Sequence, residues 1–354
     1  MSSEPREPRF LTQAVEPLPP RRFELVPPPE RPARPPCAPQ PEQPIETAPA
    51  TDPPCPLFGI AVSDQDRFIA VAHDNGVVGL WQPTVAAITG LAEPMFVARG
   101  HTRSARAVAF EPPGARDYTC LVSGSVDSTI GVWHLGDRTR NTVLRHHESS
   151  VMCLAFDAAG TRLVSGSEDC TVAITSWPDG KLERKLTAHK GTVLSVAVSP
   201  SGKYVASGGF DGRAFLWSVA GKQIARIDKR TGGWIWNVRF LDDDHIVFSE
   251  GSDVVEWTPR TKGRTLYTLR DVAYSVQALA VRGDGAQIAF GDADRVITLD
   301  LANRRLKQRL GHDDVVHGVA YLGDGRLAST ANDGALLVWG DDDDPDLRLR
   351  AASA

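Results

Sequence analysis

The sequence predicts an all-β chain of small antiparallel sheets, and three observations carry that prediction. Short apolar runs alternate in steps of two and are broken by Gly, Pro and Asp turns, as strands joined by tight hairpins require. The stretch from His189 to Trp217, HKGTVLSVAVSPSGKYVASGGFDGRAFLW, holds three such runs in succession. Three strands alone cannot bury both faces, and the stretch recurs. Its closing position falls at residues 133, 175, 217, 257, 300 and 339, intervals of 39 to 43 residues. A repeat of ~40–45 residues is the size of a four-stranded unit.

The copies differ in completeness. His101 to Trp133 (HTRSARAVAF, then LVSGSVDSTIGVW) and His312 to Trp339 (HDDVVHGVAY, then LASTANDGALLVW) match the first stretch. In all three the Asp (Asp127, Asp211, Asp333) stands six residues before the Trp, and a Ser (Ser123, Ser207, Ser329) four before the Asp. A fourth copy opens at His147 with Ser165 and Asp169, but Thr175 holds the Trp position and Trp177 comes two residues late. Three weaker copies keep the strands and lose the opening His. One ends at Trp81 with Asn75 in the Asp position, one at Trp257, and one at Asp300 with Asp294 six residues earlier.

This pattern resembles the WD-repeat (Trp-Asp repeat) β-propeller family, over residues 56–350. The resemblance implies a seven-bladed β-propeller of four-stranded antiparallel blades. It also implies that the recurring polar residues form buried hydrogen-bonded networks: His101, Ser123, Asp127 and Trp133; His189, Ser207, Asp211 and Trp217; His312, Ser329, Asp333 and Trp339; and in part His147, Ser165 and Asp169. One fold hosts many functions, so the resemblance leaves the biochemical role open.

Taken in order, residues 1–55 hold 17 of the 26 prolines and few large apolar residues, the composition of an extended or disordered tail. The run VPPPERPARPP has the look of a polyproline II ligand, and RRFELV could form one short strand. Blade 1 uses Leu57–Val62, Phe68–Ala72, Val77–Trp81 and Met95–Arg99. Blade 2 uses Ala105–Phe110, Thr119–Ser123, Thr129–Trp133 and a strand near Thr142–Arg145. Blades 3 to 7 begin at Val151, Val193, Ile235, Val276 and Val316. Asp242–Asp244 and Asp341–Asp344 fall at hairpin turns and lack the Gly and Glu positions of an EF-hand loop. The ring needs one closing strand, from RRFELV, from the segment around Ile45, or from Asp346–Arg350; the last alternates correctly at hairpin distance from Trp339. Basic residues on the outer strands, such as Lys181, Arg184 and Lys185, suit exposed sheet edges.

Composition narrows the function classes. The apolar share of 42% suffices for a core, and a net charge of −5 carries no global nucleic-acid signature. Five cysteines (Cys37, Cys55, Cys120, Cys153, Cys170) show neither zinc spacing nor a disulfide framework, which suits a cytoplasmic location. No apolar h-region opens the chain and no run is long enough to span a bilayer. No Gly-rich loop precedes a helix, so no cofactor is expected. His, Ser and Asp together suggest hydrolase triads, but a catalytic site is needed once and this set repeats; the family reads it as structure.

The resemblance places the loop opening each blade and the turn before its third strand on one face, the top. Five residues beyond the opening His position stand Phe58, Arg106, Met152, Leu194, Trp236, Gln277 and His317. Large apolar residues group in blades 3 to 5: Met152, Leu194, Phe210, Trp234 and Trp236, with Glu168 and Glu250 beside them. Such a group on a wet face marks a contact surface, and Trp is enriched among interface anchors. Trp234 and Trp236 could instead pack inside blade 5. The favoured reading is a non-enzymatic scaffold, a monomer or a subunit of a larger complex, that binds a protein or peptide partner on the top face. One alternative is a reader of a cationic side chain through Phe210, Trp234 and Glu250. Another is a metal or small-molecule site in the central channel, with Asp74, Glu168, Glu250 and His317 as its only candidates.

Overall fold

The computed structural model describes residues 55–63, 66–83, 94–112, 120–135, 141–228, 232–261, 263–269, 275–340 and 345–350. The proline-rich segment, the RRFELV and Ile45 candidates for ring closure, and Asp341–Asp344 lie outside them. Twenty-eight strands form seven four-stranded antiparallel sheets, each from consecutive strands. Blade 1 holds β1 (Leu57–Val62), β2 (Ile69–His73), β3 (Val78–Trp81) and β4 (Phe96–Ala98). Blade 2 holds β5 (Ala105–Phe110), β6 (Cys120–Ser125), β7 (Ile130–His134) and β8 (Thr142–Leu144). Blade 3 holds β9 (Val151–Phe156), β10 (Arg162–Ser167), β11 (Val172–Ser176) and β12 (Lys181–Leu186). Blade 4 holds β13 (Val193–Val198), β14 (Tyr204–Gly209), β15 (Ala214–Ser218) and β16 (Gln223–Ile227). Blade 5 holds β17 (Ile235–Phe240), β18 (Ile246–Glu250), β19 (Asp253–Trp257) and β20 (Arg264–Thr268). Blade 6 holds β21 (Leu279–Val281), β22 (Gln287–Asp292), β23 (Arg295–Asp300) and β24 (Leu306–Leu310). Blade 7 holds β25 (Val316–Tyr321), β26 (Leu327–Ala331), β27 (Ala335–Trp339) and β28 (Pro345–Arg350).

The first strands of successive blades pack side by side, and β25 returns to pack on β1, so the ring closes. Successive side chains of a strand point to opposite faces. In a propeller both faces of an inner strand meet a neighbouring blade, so both must be apolar. The second strand of blade 1 shows this: Ile69 and Val71 join the core shared with blade 7, while Ala70 and Ala72 join the core shared with blade 2. Seven apolar clusters result, one for each pair of adjacent blades. The outer strands differ by blade: β4 is buried throughout, whereas β12 and β16 carry their Lys and Arg residues to solvent.

The chain's C-terminal strand completes blade 7: β28 pairs with β27 along its length, from Ala335 opposite Arg350 to Trp339 opposite Pro345. Leu349 pairs with Leu336, and both lie in the cluster that joins blade 7 to blade 1. Two sequence expectations shift. The first strand of blade 6 begins at Leu279 and not at Val276, because the Val276 N–H bonds across to the Gly251 carbonyl of blade 5 instead of to its own sheet. The closing position of blade 6 is Leu299, opposite Ile288, and not Asp300; the Asp300 carboxylate instead accepts from the N–H groups of Ala302 and Asn303 in the following turn.

Because β28 occupies the closing position, deleting residues 345–354 is expected to cause a large fall in Tm, whereas deleting residues 1–45 is expected to leave Tm within a few degrees. Leu349→Ala alone is expected to cost about 2–5 kcal/mol. Thermal denaturation of the three chains checks all of this, and the reverse order for the two deletions would assign closure to the N-terminal segment.

Candidate interaction site at the channel mouth

Four blades contain the same Ser–His–Asp chain of hydrogen bonds, and in three of them a Trp indole extends it. In blade 2 the Trp133 Nε1–H donates to Ser123 Oγ at 2.8 Å, Ser123 Oγ lies 2.7 Å from His101 Nε2, and His101 Nδ1 lies 3.0 Å from Asp127 Oδ2. An indole N–H can only donate. The arrangement that satisfies every group therefore has the Ser hydroxyl donating to Nε2 and the Nδ1–H donating to the carboxylate. Blade 4 repeats the chain through Trp217, Ser207, His189 and Asp211 (2.9, 2.9 and 3.1 Å). Blade 7 repeats it through Trp339, Ser329, His312 and Asp333 (2.7, 2.8 and 3.0 Å). In blade 3, His147 meets Ser165 at 2.8 Å and Asp169 at 3.0 Å, with no indole in the chain. There Trp177 fills the same blade 2–3 interface from its later position and turns its Nε1–H to Glu111 Oε1 at 2.7 Å.

The Asp of each set also accepts the backbone N–H after the His, from Thr102, Glu148, Lys190 and Asp313, each at 3.0 Å. Each Asp thus ties the loop that opens its blade to the turn before its third strand. Burial by itself would raise these carboxyls. The hydrogen bonds from the His rings, with the Thr hydroxyls of Thr129 and Thr171 in blades 2 and 3 and backbone N–H groups, outweigh it and hold Asp127, Asp169, Asp211 and Asp333 below the ordinary carboxylate range. A Ser–His–Asp order at these distances is also that of a hydrolase triad. All four Ser side chains are fully buried, however, and three of the hydroxyls already accept an indole N–H. No substrate carbonyl can approach them.

The remaining blades replace the network as a unit. The residue two beyond the partner of the closing position is Ser in blades 2, 3, 4 and 7. It is Val71 in blade 1, Phe248 in blade 5 and Phe290 in blade 6, all fully buried. A half-satisfied buried network is worse than an apolar core, so the loss of the opening His goes with the loss of the Ser. Blade 1 keeps a different His: His73 is fully buried and stacks on Trp81 at 6.0 Å, and neither ring nitrogen has a hydrogen-bond partner among the described residues. Burial pushes its pKa down to about 3, so the ring is neutral in the folded chain.

At the top of the first strand, β-bulges in six blades shift the register at equivalent places. A bulge re-aims one side chain out of the pleat. The residues so re-aimed are Phe58, Arg106, Met152, Leu194, Trp236 and His317; with Gln277 of blade 6 they ring a central cavity of about 350 Å³. Next to it, Phe210, Trp234 and Trp236 form an aromatic cluster with ring centroids 4.6 to 5.7 Å apart. Trp234 is 45% exposed and Phe210 36%, while Trp236 is half-buried at the cavity wall. Trp234 therefore does not pack inside blade 5. Leu194 is buried at the cavity wall and Met152 half-buried. Glu168 accepts from the Ser149 and Ser150 hydroxyls at 2.8 and 2.7 Å.

Glu250 does not stand on the top face: it pairs with Ile235 inside the sheet and is 1% exposed. Only Gly251 and Ser252 separate β18 from β19, against four residues in the equivalent turn of blade 4, so an offset counted along the chain slips by one. Gly251 holds the place of Phe210; its N–H bonds to the Trp234 carbonyl as that of Phe210 bonds to the Thr192 carbonyl. The aromatic cluster thus lacks the carboxylate that a cation reader was expected to use. Among the described residues no three His, Cys, Asp or Glu side chains gather as metal ligands, and Asp74, Glu168, Glu250 and His317 do not converge. Four cysteines, Cys55, Cys120, Cys153 and Cys170, are free thiols. No helix of the described residues is long and apolar enough to cross a membrane.

These seven closed blades define a β-propeller. Four stretches match the family model of the WD domain, G-beta repeat: residues 92–134, 138–176, 180–218 and 304–340. The chain is a WD-repeat propeller with four such repeats, and the matched stretches contain all four His–Ser–Asp sets. A comparison with curated proteins returns no match.

Two predictions test these assignments. Asp211→Ala leaves the His189 donor without its acceptor and is expected to cost roughly 1–3 kcal/mol, read as a lower Tm. The depressed Asp pKa values add stability that is fully present above the unfolded value near 4 and is lost as pH falls below it. His73 acts at higher pH: with its folded pKa far below the unfolded value of about 6.5, the unfolded chain takes up the proton first. Its contribution is present above about pH 6.5 and is lost as pH falls toward 3. His73→Phe keeps the stack on Trp81, so the Tm of that variant is expected to fall less than wild type between pH 7 and 4; parallel curves would refute the assignment.

Proposed function

We propose that this chain is a non-enzymatic interaction scaffold that binds an apolar segment of a protein or peptide partner at the aromatic cluster of blades 4 and 5. The observation that carries this reading is the placement of Phe210 and Trp234 in ring contact with each other and open to solvent; among the described residues no other Phe, Tyr or Trp is exposed. Aromatic pairs add stabilisation beyond the area they bury, and Trp is enriched among the energetic anchors of interfaces. WD40 propellers commonly serve as protein-interaction scaffolds. The burial of the four Ser hydroxyls supports a role without catalysis, and the free thiols and low cysteine content favour a reducing compartment such as the cytoplasm.

The exposed pair separates docking from folding. Phe210→Ala with Trp234→Ala removes surface that water already reaches, so Tm is expected to stay within about 2 °C of wild type, by the small effects typical of surface changes. A partner captured by the wild-type chain is expected to be lost by this variant. Retention of the partner at full strength by the well-folded double variant would move docking elsewhere on the ring.

A further inference from the structure

The central cavity carries an unbalanced charge. Arg106 from β5 and Arg239 from β17 line it, and no Asp or Glu is among its lining residues. The imbalance runs against the net charge of −5 on the chain. Arg239 is half-buried and makes no ion pair with a described residue; its Nη1 donates to the Val238 carbonyl at 2.8 Å and to Ser195 Oγ at 3.2 Å. Its Nε and Nη2 make no hydrogen bond to a described residue. Cys153, the thiol nearest in charge, is pushed up to about 12 by burial and so stays neutral. Arg106 lies over the Phe58 ring at 3.9 Å, its Nε is buried without a hydrogen-bond partner among the described residues, and Asp74 reaches its Nη2 only at 3.9 Å from outside the cavity. Burial draws both guanidinium pKa values down, but Arg remains charged in proteins.

A cation held against a cavity wall with no counter-charge among the described residues, as Arg239 is, is costly to desolvate, and proteins rarely leave one unless something else supplies the charge. The guanidinium fork matches a carboxylate or phosphate group in shape as well as sign. We infer that the central cavity is an oxyanion site in which Arg239, with Ser195 beside it, and Arg106 at the mouth hold a carboxylate or phosphate group. The cavity volume is that of a small-ligand pocket, and the inference does not rest on the docking reading of the aromatic cluster.

The test uses the full chain at fixed ionic strength, with chloride replaced by inorganic phosphate or by succinate in separate titrations. A saturable rise in Tm of several degrees is expected for at least one anion, since a ligand that binds only the folded state stabilises it. Arg239→Gln is expected to abolish the rise, and Arg106→Gln to raise the midpoint concentration at least tenfold. A response to phosphate alone assigns the site to phosphate groups and a response to succinate alone to carboxylates; both outcomes sustain the inference. No rise with either anion, or an equal rise in Arg239→Gln, overturns it. Should Arg239→Gln fail to fold, Arg239→Lys and Arg106→Gln decide: weaker midpoints in both sustain the site, and wild-type midpoints in both overturn it.

Discussion

Adjacent blades are held together by burial of two apolar faces against each other, and the ring exists only because this happens seven times with nothing left over. Each blade is a sheet too small to bury its own surface, so its stability is supplied by its neighbours. The last of these interfaces, between blades 7 and 1, joins residues more than 250 positions apart, such as Leu57 and Leu349. Leu349 of β28 joins it beside Leu336 and Val338 of β27. Every other feature of the molecule, including the central cavity and its mouth, is a consequence of that closure.

Within the ring, polar and apolar solutions to one problem alternate by blade. Where the opening loop must be pinned to the turn before the third strand, an Asp does so by accepting both a His ring N–H and a backbone N–H. The His then needs a donor, which the Ser supplies, and the Ser oxygen takes an indole N–H where one is in reach. Where the opening His is missing, the Ser position is filled by Val71, Phe248 or Phe290. No blade keeps the buried Ser without the His. Blade 3 shows the tolerance of the scheme: losing the indole from the chain leaves the Ser–His–Asp part intact, and Trp177 fills the interface from two residues away.

The bulges convert this architecture into a surface. A regular strand would send all its side chains into the two blade interfaces. The register shift near the top of the first strand releases one residue toward the axis in six blades, Phe58, Arg106, Met152, Leu194, Trp236 and His317, and Gln277, just before the first strand of blade 6, completes the rim. The rim is apolar and aromatic toward blades 3 to 5 and cationic at blade 2.

The repeat spacing, the alternation of apolar residues and the His–Ser–Asp–Trp offsets by themselves determined the class of fold, the number of blades and the identity of the four networks, because these depend on local periodicity and on contacts within one hairpin unit. The same local logic placed Phe210 and Trp234 at a turn and an opening loop. What only the tertiary structure decided is which residues meet across blades. Glu250 is buried because a turn two residues shorter than that of blade 4 moved it into the sheet, a slip that counting along the chain does not reveal. Arg239 carries no signal in the sequence, one Arg among alternating strand residues, and its uncompensated charge exists only because seven first strands enclose it and bring no carboxylate with them. Charge balance in a closed ring is a sum over residues from every blade, and no stretch of one blade contains it.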